Sequence, residues 1–201
     1  MPSRLQPLDA GSTYTNTSTP YLDRTMKRIL ALCTLGLACS SATANTGVIN
    51  FEGTVTDGGT CPISIVNPGG SPLPMINFGD FQAKDYASAG LQTAKKRFVL
   101  SIDPATCASI PPDTTVTFNA NYPDPSGKLY GLQTGVGYSE GFAIAIYDAS
   151  GAQLDPGTPS ASYTLDPAKP TEMNFNTNLH TTKKVTEGTI ASSVSFTVAI
   201  P

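Results

Sequence analysis

The chain has 201 residues, with 12 basic and 15 acidic side chains, a net charge of −3 and a single histidine. A chain of this length fits one domain, with or without a leader. The basic residues form no cluster beyond Lys95-Lys96-Arg97. The composition therefore argues against a nucleic-acid partner, whose phosphates attract basic patches.

The segment 26–44 has the composition of a secretory signal peptide. Lys27 and Arg28 give it a positive start, and residues 29–38 form its apolar core. The core is about half as long as the roughly 20 residues that cross a membrane, which favours a cleaved leader over an anchor. The tripeptide Ala42-Thr43-Ala44 matches an A-x-A cleavage site. We expect cleavage after its last residue, with cleavage after its first residue as the alternative.

Two further expectations follow from this leader. Residues 1–25 are polar and rich in Ser, Thr and Pro, and we interpret them as an upstream extension that is not part of the mature protein. The sequence Leu37-Ala38-Cys39 resembles a lipoprotein box, but Gly36 stands where such a box has a larger aliphatic residue. We therefore favour an ordinary cleaved leader and a mature chain that is exported and begins at Asn45.

The mature chain would open with an alternating segment at 47–55, in which Ile49 and Phe51 fall on one face of an extended strand. This segment precedes the first cysteine of the mature chain by more residues than a compact sandwich needs. The residues alone leave two interpretations open. The segment is either an ordinary edge strand of the same domain or an arm with a separate role.

The four cysteines divide into two pairs. Cys33 and Cys39 lie in the leader and would be lost with it, whereas Cys61 and Cys107 remain in the exported chain. An even pair in an oxidising compartment predicts a disulfide. Closing a loop of this length would stabilise the fold by about 4 kcal/mol on the chain-entropy model. Two cysteines and one histidine are too few for a structural zinc site, so we expect no metal.

Beyond the alternating segment the chain continues as short strand patterns separated by Gly- and Pro-rich turns. Helical periodicity is absent except for one short turn near 83–89. This pattern is typical of an antiparallel sandwich of the immunoglobulin type, although the chain lacks the core tryptophan and places its cysteines differently. The predicted strands lie at 48–56, 62–66, 75–78, 97–103, 114–122, 142–148, 160–165, 172–179 and 188–200.

One motif invites an enzymatic interpretation. The sequence Gly137-Tyr138-Ser139-Glu140-Gly141 matches the G-x-S-x-G nucleophile elbow, and His180 follows it in the order found in hydrolases. An elbow needs a strand that turns into a helix, but here a strand pattern follows the serine. We therefore expect a Gly-rich turn without a catalytic role. We expect His180 to lie at the surface near a strand end, since one imidazole cannot form a copper or zinc cluster.

The last stretch, 188–201, alternates apolar and small residues almost to its final proline. A strand with one apolar face must bury that face, and its open edge must pair with another strand. Its apolar face consists of Ile190, Val194, Phe196, Val198 and Ile200.

Several segments of the sequence follow one another in an order that is informative about the family. GVINFEGTVTDGGTC leads into Cys61, INFGDF follows at 76–81, and RFVLSIDPATC ends at Cys107. TVTFNANY and GFAIAIYDASGAQL come next, and Gly188 opens the final fourteen residues. Together they resemble the fimbrial subunits, or pilins, that the chaperone–usher pathway of Gram-negative bacteria assembles. That family usually has an aromatic residue next to last, where this chain has Ile200.

The resemblance implies an all-β fold, an incomplete immunoglobulin-like β-sandwich that lacks its final strand and has one disulfide. Residues 57–201 would form this pilin domain, and residues 45–56 would form an N-terminal donor-strand arm. A hydrophobic groove would lie open beside the last strand. A periplasmic chaperone would fill this groove while the subunit folds, and the N-terminal arm of another subunit would fill it in the fibre.

The resemblance also implies roles for individual residues. Gly47, Ile49 and Phe51 would enter the groove of a neighbouring subunit, with Gly47 at a pocket that admits no side chain. The last strand would form the acceptor groove through Gly188, Ile190, Val194, Phe196, Val198 and Ile200.

The function implied is that of a structural subunit of a surface fimbria that contributes to bacterial adhesion, without catalytic residues or cofactor. Its partners would be other pilin subunits, a periplasmic chaperone and an outer-membrane usher, and it would pass through the periplasm to the cell surface. The alternative is a minor tip or adaptor subunit that binds a glycan receptor directly.

Overall fold

The computed structural model describes residues 45–56 and 61–199, including the side chains of residues 47–51 and 61–199. The predicted extension at 1–25, the predicted leader at 26–44 and Ile200 lie outside the described residues.

The described chain contains ten strands and two short 3₁₀ helices, at Ala83–Tyr86 and Pro104–Thr106. It contains no helix with the length and apolar character of a membrane span. The strands are β1 (Asn45–Thr56), β2 (Ile63–Val66), β3 (Ile76–Phe81), β4 (Lys96–Ile102), β5 (Asp113–Ala120), β6 (Phe142–Tyr147), β7 (Gln153–Leu154), β8 (Tyr163–Thr164), β9 (Thr171–Thr181) and β10 (Ile190–Ala199).

These strands form two five-stranded sheets, and the predicted β-sandwich is confirmed. The first sheet has the order β3-β1-β10-β5-β8, and the second has the order β2-β4-β9-β6-β7. Every strand pair is antiparallel except β1 and β10, which run parallel. The N-terminal strand is therefore an inner strand of the first sheet and not an edge strand.

Apolar residues at alternate positions of the strands point between the two sheets and form the core. In β10 every second residue is buried, as expected for a strand with one face on a core. Phe98 of β4, Phe118 of β5 and Phe175 of β9 meet at the centre, with ring centroids 5.0 to 6.0 Å apart. In β6 all six residues are buried, so both faces of this strand are covered.

The predicted disulfide is confirmed. Cys61 lies just before β2 and Cys107 just after the second 3₁₀ helix, and their sulfur atoms are bonded. β2 and β4 are paired neighbours in the second sheet, and so the bond ties the start of one strand to the end of its neighbour. The bond closes a loop between residues 46 positions apart.

The observed strands follow the predicted ones, with β1 beginning three residues earlier, at Asn45, and smaller shifts at other strand ends. The two-residue strand β7 was not predicted, and the predicted strand at 160–165 shortens to β8 at Tyr163–Thr164. Ser160 instead pairs with Val116 of β5, since its N–H donates to the Val116 carbonyl and its Oγ accepts from the Val116 N–H. The third strand extends to Phe81.

Candidate strand-binding groove

The last strand and β3 form the two walls of a groove that faces the second sheet. We call this space the acceptor groove. Ile76 and Phe78 of β3 are 3% and 5% exposed. The described inward residues of β10 that were predicted to line the groove are 0–3% exposed, namely Ile190, Val194, Phe196 and Val198. The wall residues on both sides are apolar, so a strand that enters the groove must bring an apolar face.

Strand β1 of the same chain fills the acceptor groove. It pairs in parallel with β10 from Gly47 opposite Ile190 to Thr56 opposite Ala199. On its other side it pairs antiparallel with β3, with Ile49 opposite Ile76. One inserted strand therefore pairs with the backbone of both β10 and β3.

The three residues predicted to act as donors point into this groove. Ile49 is 1% exposed, and Phe51 is half-buried. The Phe51 ring lies 4.8 Å from the ring centroid of Phe98 and 6.4 Å from that of Phe118. The inserted strand thus completes the aromatic core rather than lying on its surface.

Gly47 lies close to Phe78 and Phe81 of β3. A Cβ placed on this residue would lie 3.0 Å from the Cβ of Phe78 and 3.5 Å from the ring of Phe81. The Cβ of Phe78 is bonded directly to the β3 backbone, so a side chain at Gly47 would require β1 or β3 to move by a few tenths of an ångström. Glycine therefore allows the close approach of these two strands.

An open pocket of about 370 Å³ lies between the ring of Phe51 on β1 and that of Phe196 on β10. Its other lining residues are Ile63, Ile65, Pro72, Leu73 and Pro74.

Two residues near the start of β10 fix its entry into the sheet. Gly188 has a φ of +145°, and a Cβ there would lie 2.5 Å from backbone atoms of Tyr138 and Ser139. Ser192, which was not predicted as a groove residue, is 4% exposed and donates a 2.7 Å hydrogen bond from Oγ to the carbonyl of Gly131. Alternation alone would have placed Ser192 on the inward face.

The structure therefore brings the predicted donor residues and the described acceptor residues together within one chain. The sequence interpretation instead placed the donor of one copy in the groove of another. Alternation identifies which faces of β1 and β10 are buried, but it does not identify the chain that buries them.

The G-x-S-x-G motif lies in the loop before β6 and not at a strand-to-helix turn. Ser139 is 1% exposed, and its Oγ donates a 2.7 Å hydrogen bond to the carbonyl of Thr186. Its backbone N–H donates to the carbonyl of Thr189. The serine therefore holds this loop against the segment that leads into β10.

The single histidine lies on β9 against the outer face of the second sheet. Its Nε2 is 2.7 Å from the hydroxyl of Tyr147, and the Nζ of Lys95 lies 3.8 Å from the centre of the Tyr147 ring. Burial lowers the pKa of His180, and the charge of Lys95 lowers it further. Among the described residues, no group of three or more His, Cys, Asp or Glu side chains is placed to hold a metal ion.

A second and larger pocket, of about 770 Å³, opens near the start of β6. The Nζ of Lys183 lies 2.6 Å from Oε2 of Glu140 at its exposed rim. This hydrogen bond and the charge of Lys183 lower the pKa of Glu140. Phe142 also lines the pocket but is only 5% exposed, and so it does not offer a ring face on which a sugar would stack.

The comparison that decides the family is with the model for fimbrial proteins, which matches residues 49–200. The chain belongs to the fimbrial protein family. The matched range includes most of β1 and all of β3 and β10, the two walls of the acceptor groove. No curated protein matches the sequence.

Solved structures are similar to this fimbrial protein in fold. The P pilus rod subunit PapA has 17% identity and a TM-score of 0.52, covering 70% of this chain and 99% of that one. A subunit from the structure of a chaperone-usher pilus with an uncoiling rod has 17% identity and a TM-score of 0.51, covering 75% and 96%. A type I fimbria protein from Burkholderia pseudomallei has 25% identity and a TM-score of 0.47, covering 78% and 97%.

Proposed function

We propose that this fimbrial protein is a structural subunit of a surface fimbria that polymerises by donor-strand exchange. In the fibre, β1 of one copy would occupy the acceptor groove of another copy. The observation that carries the proposal is the fit of β1 between β10 and β3, where it pairs with both strands and buries Ile49 in the core.

The groove needs an occupant for physical reasons. Without β1, the inward side chains of β10 would face solvent, and β10 and β3 would each present an unpaired edge. A strand added at such a site gains affinity from main-chain hydrogen bonds and specificity from alternate side chains in pockets. The same geometry that closes one chain therefore suits a strand from a second chain.

Assembly into a fimbria would involve three kinds of partner. Other pilin subunits would supply the donor strand in the fibre, a periplasmic chaperone would cover the groove before assembly, and an outer-membrane usher would receive the subunit. PapA is a pilus rod subunit and another similar structure is a chaperone-usher pilus, which supports this pathway. The predicted leader supports passage through the periplasm to the cell surface, where the fimbria would contribute to adhesion.

A deletion of residues 45–51 tests the proposal. A subunit without these residues can accept a donor strand but cannot donate one, so it should terminate fibres. Added at one part in ten to the wild-type protein, it should shorten the fibres seen by electron microscopy, and alone it should form none. Normal fibres from the deleted subunit alone would contradict the proposal.

The deleted subunit could fail to form fibres only because it does not fold. Two point variants therefore test the same strand without removing it. Ile49→Asp places a charge on the inward face of β1, whereas Asn50→Asp places the same charge on the exposed outward face. Ile49→Asp should abolish fibre formation because a buried unpaired charge is costly. Asn50→Asp should leave it intact, and equal effects of the two variants would contradict the inward donor face.

The alternative, a tip or adaptor subunit that binds a glycan, stays a prediction. A glycan-array measurement on a monomer whose groove is filled by a fused copy of β1 would test it. We also propose no catalytic role, because the hydroxyl of Ser139 is buried and bonded to the backbone. An esterase assay of Ser139→Ala against the wild-type protein would test that.

A further inference from the structure

The outer side of the second sheet, away from the acceptor groove, carries a patch of polar side chains. Asn176 of β9 lies opposite Arg97 of β4 and opposite Tyr147 of β6, whereas its chain neighbour Phe175 points into the core. Residues at alternate positions of a strand share a face. We call this patch the asparagine face, and its members are Lys95, Arg97, Tyr147, Asn176, Asn178 and His180.

The asparagines of β9 are unusual for a strand. Asparagine is depleted in β-strands, yet β9 has it at three alternate outward positions, Asn174, Asn176 and Asn178. The last of these is 1% exposed. Its Nδ2 donates to the Thr93 carbonyl at 3.2 Å and to Oε1 of Gln92 at 3.4 Å, but its Oδ1 has no hydrogen-bond partner among the described residues. A buried acceptor without a donor is unfavourable, and a ligand hydroxyl would supply one.

Lys95 reaches across this strand. In the sheet β9 lies between β4 and β6, and the Nζ of Lys95, just before β4, lies 3.8 Å from the centre of the Tyr147 ring on β6. The Lys95 side chain therefore crosses β9 on its outer side, at the level of Asn178. Within the described part of the chain, neither Lys95 nor Arg97 forms an ion pair with a carboxylate. Glu172 is the one acidic residue at the outward positions of the described strands of this sheet, so the two cations leave the face positive.

We propose that the asparagine face binds a saccharide that carries carboxylate or sulfate groups. The guanidinium of Arg97 and the ammonium of Lys95 would bind the anionic groups. As Lys95 turns from the Tyr147 ring toward an anion, its stem would uncover Asn178, whose Oδ1 would accept a hydrogen bond from a sugar hydroxyl. Hydroxyl groups suit amide side chains because each hydroxyl both donates and accepts.

The inference deepens the proposed contribution to adhesion and rests on it, because a fimbria would display this face outside the cell. The face is separate from the acceptor groove, since both walls of the groove, β10 and β3, belong to the first sheet. Substitutions on the asparagine face can therefore change saccharide binding without changing fibre formation.

Binding to immobilised polymers, measured by biolayer interferometry, tests the inference. The full chain, exported with its own leader and collected from the periplasm, should bind polygalacturonate, which carries carboxylates, or dextran sulfate, which carries sulfates. It should not bind neutral dextran. It should bind poly-glutamate, an acidic polymer without hydroxyl groups, about tenfold more weakly than the acidic polysaccharide.

Matched variants locate the site. Lys95→Gln/Arg97→Gln should weaken binding about tenfold, because two charge-assisted contacts are lost. Lys84→Gln/Lys169→Gln removes the same charge from exposed positions outside the asparagine face, and should leave the affinity within about twofold of the wild-type value. Asn176→Ala changes no charge and should weaken binding about threefold.

The outcomes separate this inference from the proposed function. An absence of binding to both acidic polysaccharides, or equal effects of the two double variants, would overturn the inference. Binding to poly-glutamate as tight as to polygalacturonate would also overturn it, in favour of an acidic peptide. Electron microscopy of Lys95→Gln/Arg97→Gln should still show fibres. A wild-type protein that binds an acidic polysaccharide through this face but forms no fibres would support the inference and refute the proposed function.

Discussion

At the scale of single residues, the account depends most on Gly47. A Cβ on this residue would lie only 3.0 Å from the Cβ of Phe78, and the backbone of Gly47 is not in the left-handed region. The requirement is therefore one of volume, set by how closely β1 approaches β3.

Gly47→Ala should lower the free energy of unfolding by about 1–2 kcal/mol, which is the cost of overpacking less the gain from replacing a strand glycine. Urea unfolding measures this change. Asn50→Ala, at an exposed position of the same strand, is the matched control and should stay within about 0.5 kcal/mol of the wild-type protein. A Gly47→Ala protein as stable as this control would show that the groove is wider than described.

Ser139 should act on stability and not on chemistry. Ser139→Ala removes the 2.7 Å hydrogen bond to the Thr186 carbonyl, so we expect a loss of about 1 kcal/mol in the free energy of unfolding. Ser162→Ala, at an exposed position, should change it by less than about 0.5 kcal/mol. Equal effects of the two substitutions would contradict the structural role.

His180 should make stability depend on pH in a narrow window. Its folded-state pKa is lowered from 6.5 by burial and by the charge of Lys95, so the unfolded chain binds its proton first as pH falls. The contribution of His180 to the free energy of unfolding should therefore be complete above pH 6.5. It should decrease as the pH falls below 6.5, until the lowered pKa of the folded state is reached. Urea unfolding between pH 7.5 and 5 checks this.

His180→Gln should reduce the slope of the free energy of unfolding against pH between pH 7.5 and 5. The pKa of Asp148 is also lowered: burial raises it, but hydrogen bonds from Ser150 and from backbone amides of the same turn outweigh burial. Asp148 loses its contribution only at more acidic pH, below 3.8, and does not interfere. A His180→Gln protein with the same slope as the wild-type protein between pH 7.5 and 5 would contradict the account.

At the scale of elements, the sequence predicts most strands because alternation and turn residues are local signals. β1, β5, β9 and β10 are long enough for their apolar period to be visible. β7 has two residues and cannot show a period. β8 is shorter than predicted because Ser160 bonds to Val116 through its hydroxyl, a contact between residues 44 positions apart.

The inward faces of the groove strands could be predicted from the sequence, but their contacts and direction could not. The inward faces of β1 and β10 follow from alternation, including the position of Ser192. The partner of Ser192, the Gly131 carbonyl, lies 61 positions away, so no local pattern indicates it. Nor does a strand pattern indicate direction, and the parallel pairing of β1 with β10 becomes evident only in the folded chain.

At the scale of the whole molecule, the Cys61–Cys107 disulfide adds a covalent link to the packed core. The double variant Cys61→Ala/Cys107→Ala should lose about 4 kcal/mol in the free energy of unfolding, since the bond spans 46 positions. Urea unfolding of this variant and of the wild-type protein measures the difference. A loss below about 1 kcal/mol would mean that the unfolded chain is already compact around these residues.

In a fibre, the strand beside β10 should come from a second copy of the chain. Fibres grown from an equal mixture of ¹⁵N-labelled and ¹³C-labelled subunits allow solid-state NMR to detect contacts between different copies. The account predicts contacts between β1 of one copy and β10 of another, at Ile49 and Phe51 on one side and Val194 and Phe196 on the other. Fibres in which β1 contacts β10 only within its own chain would contradict it.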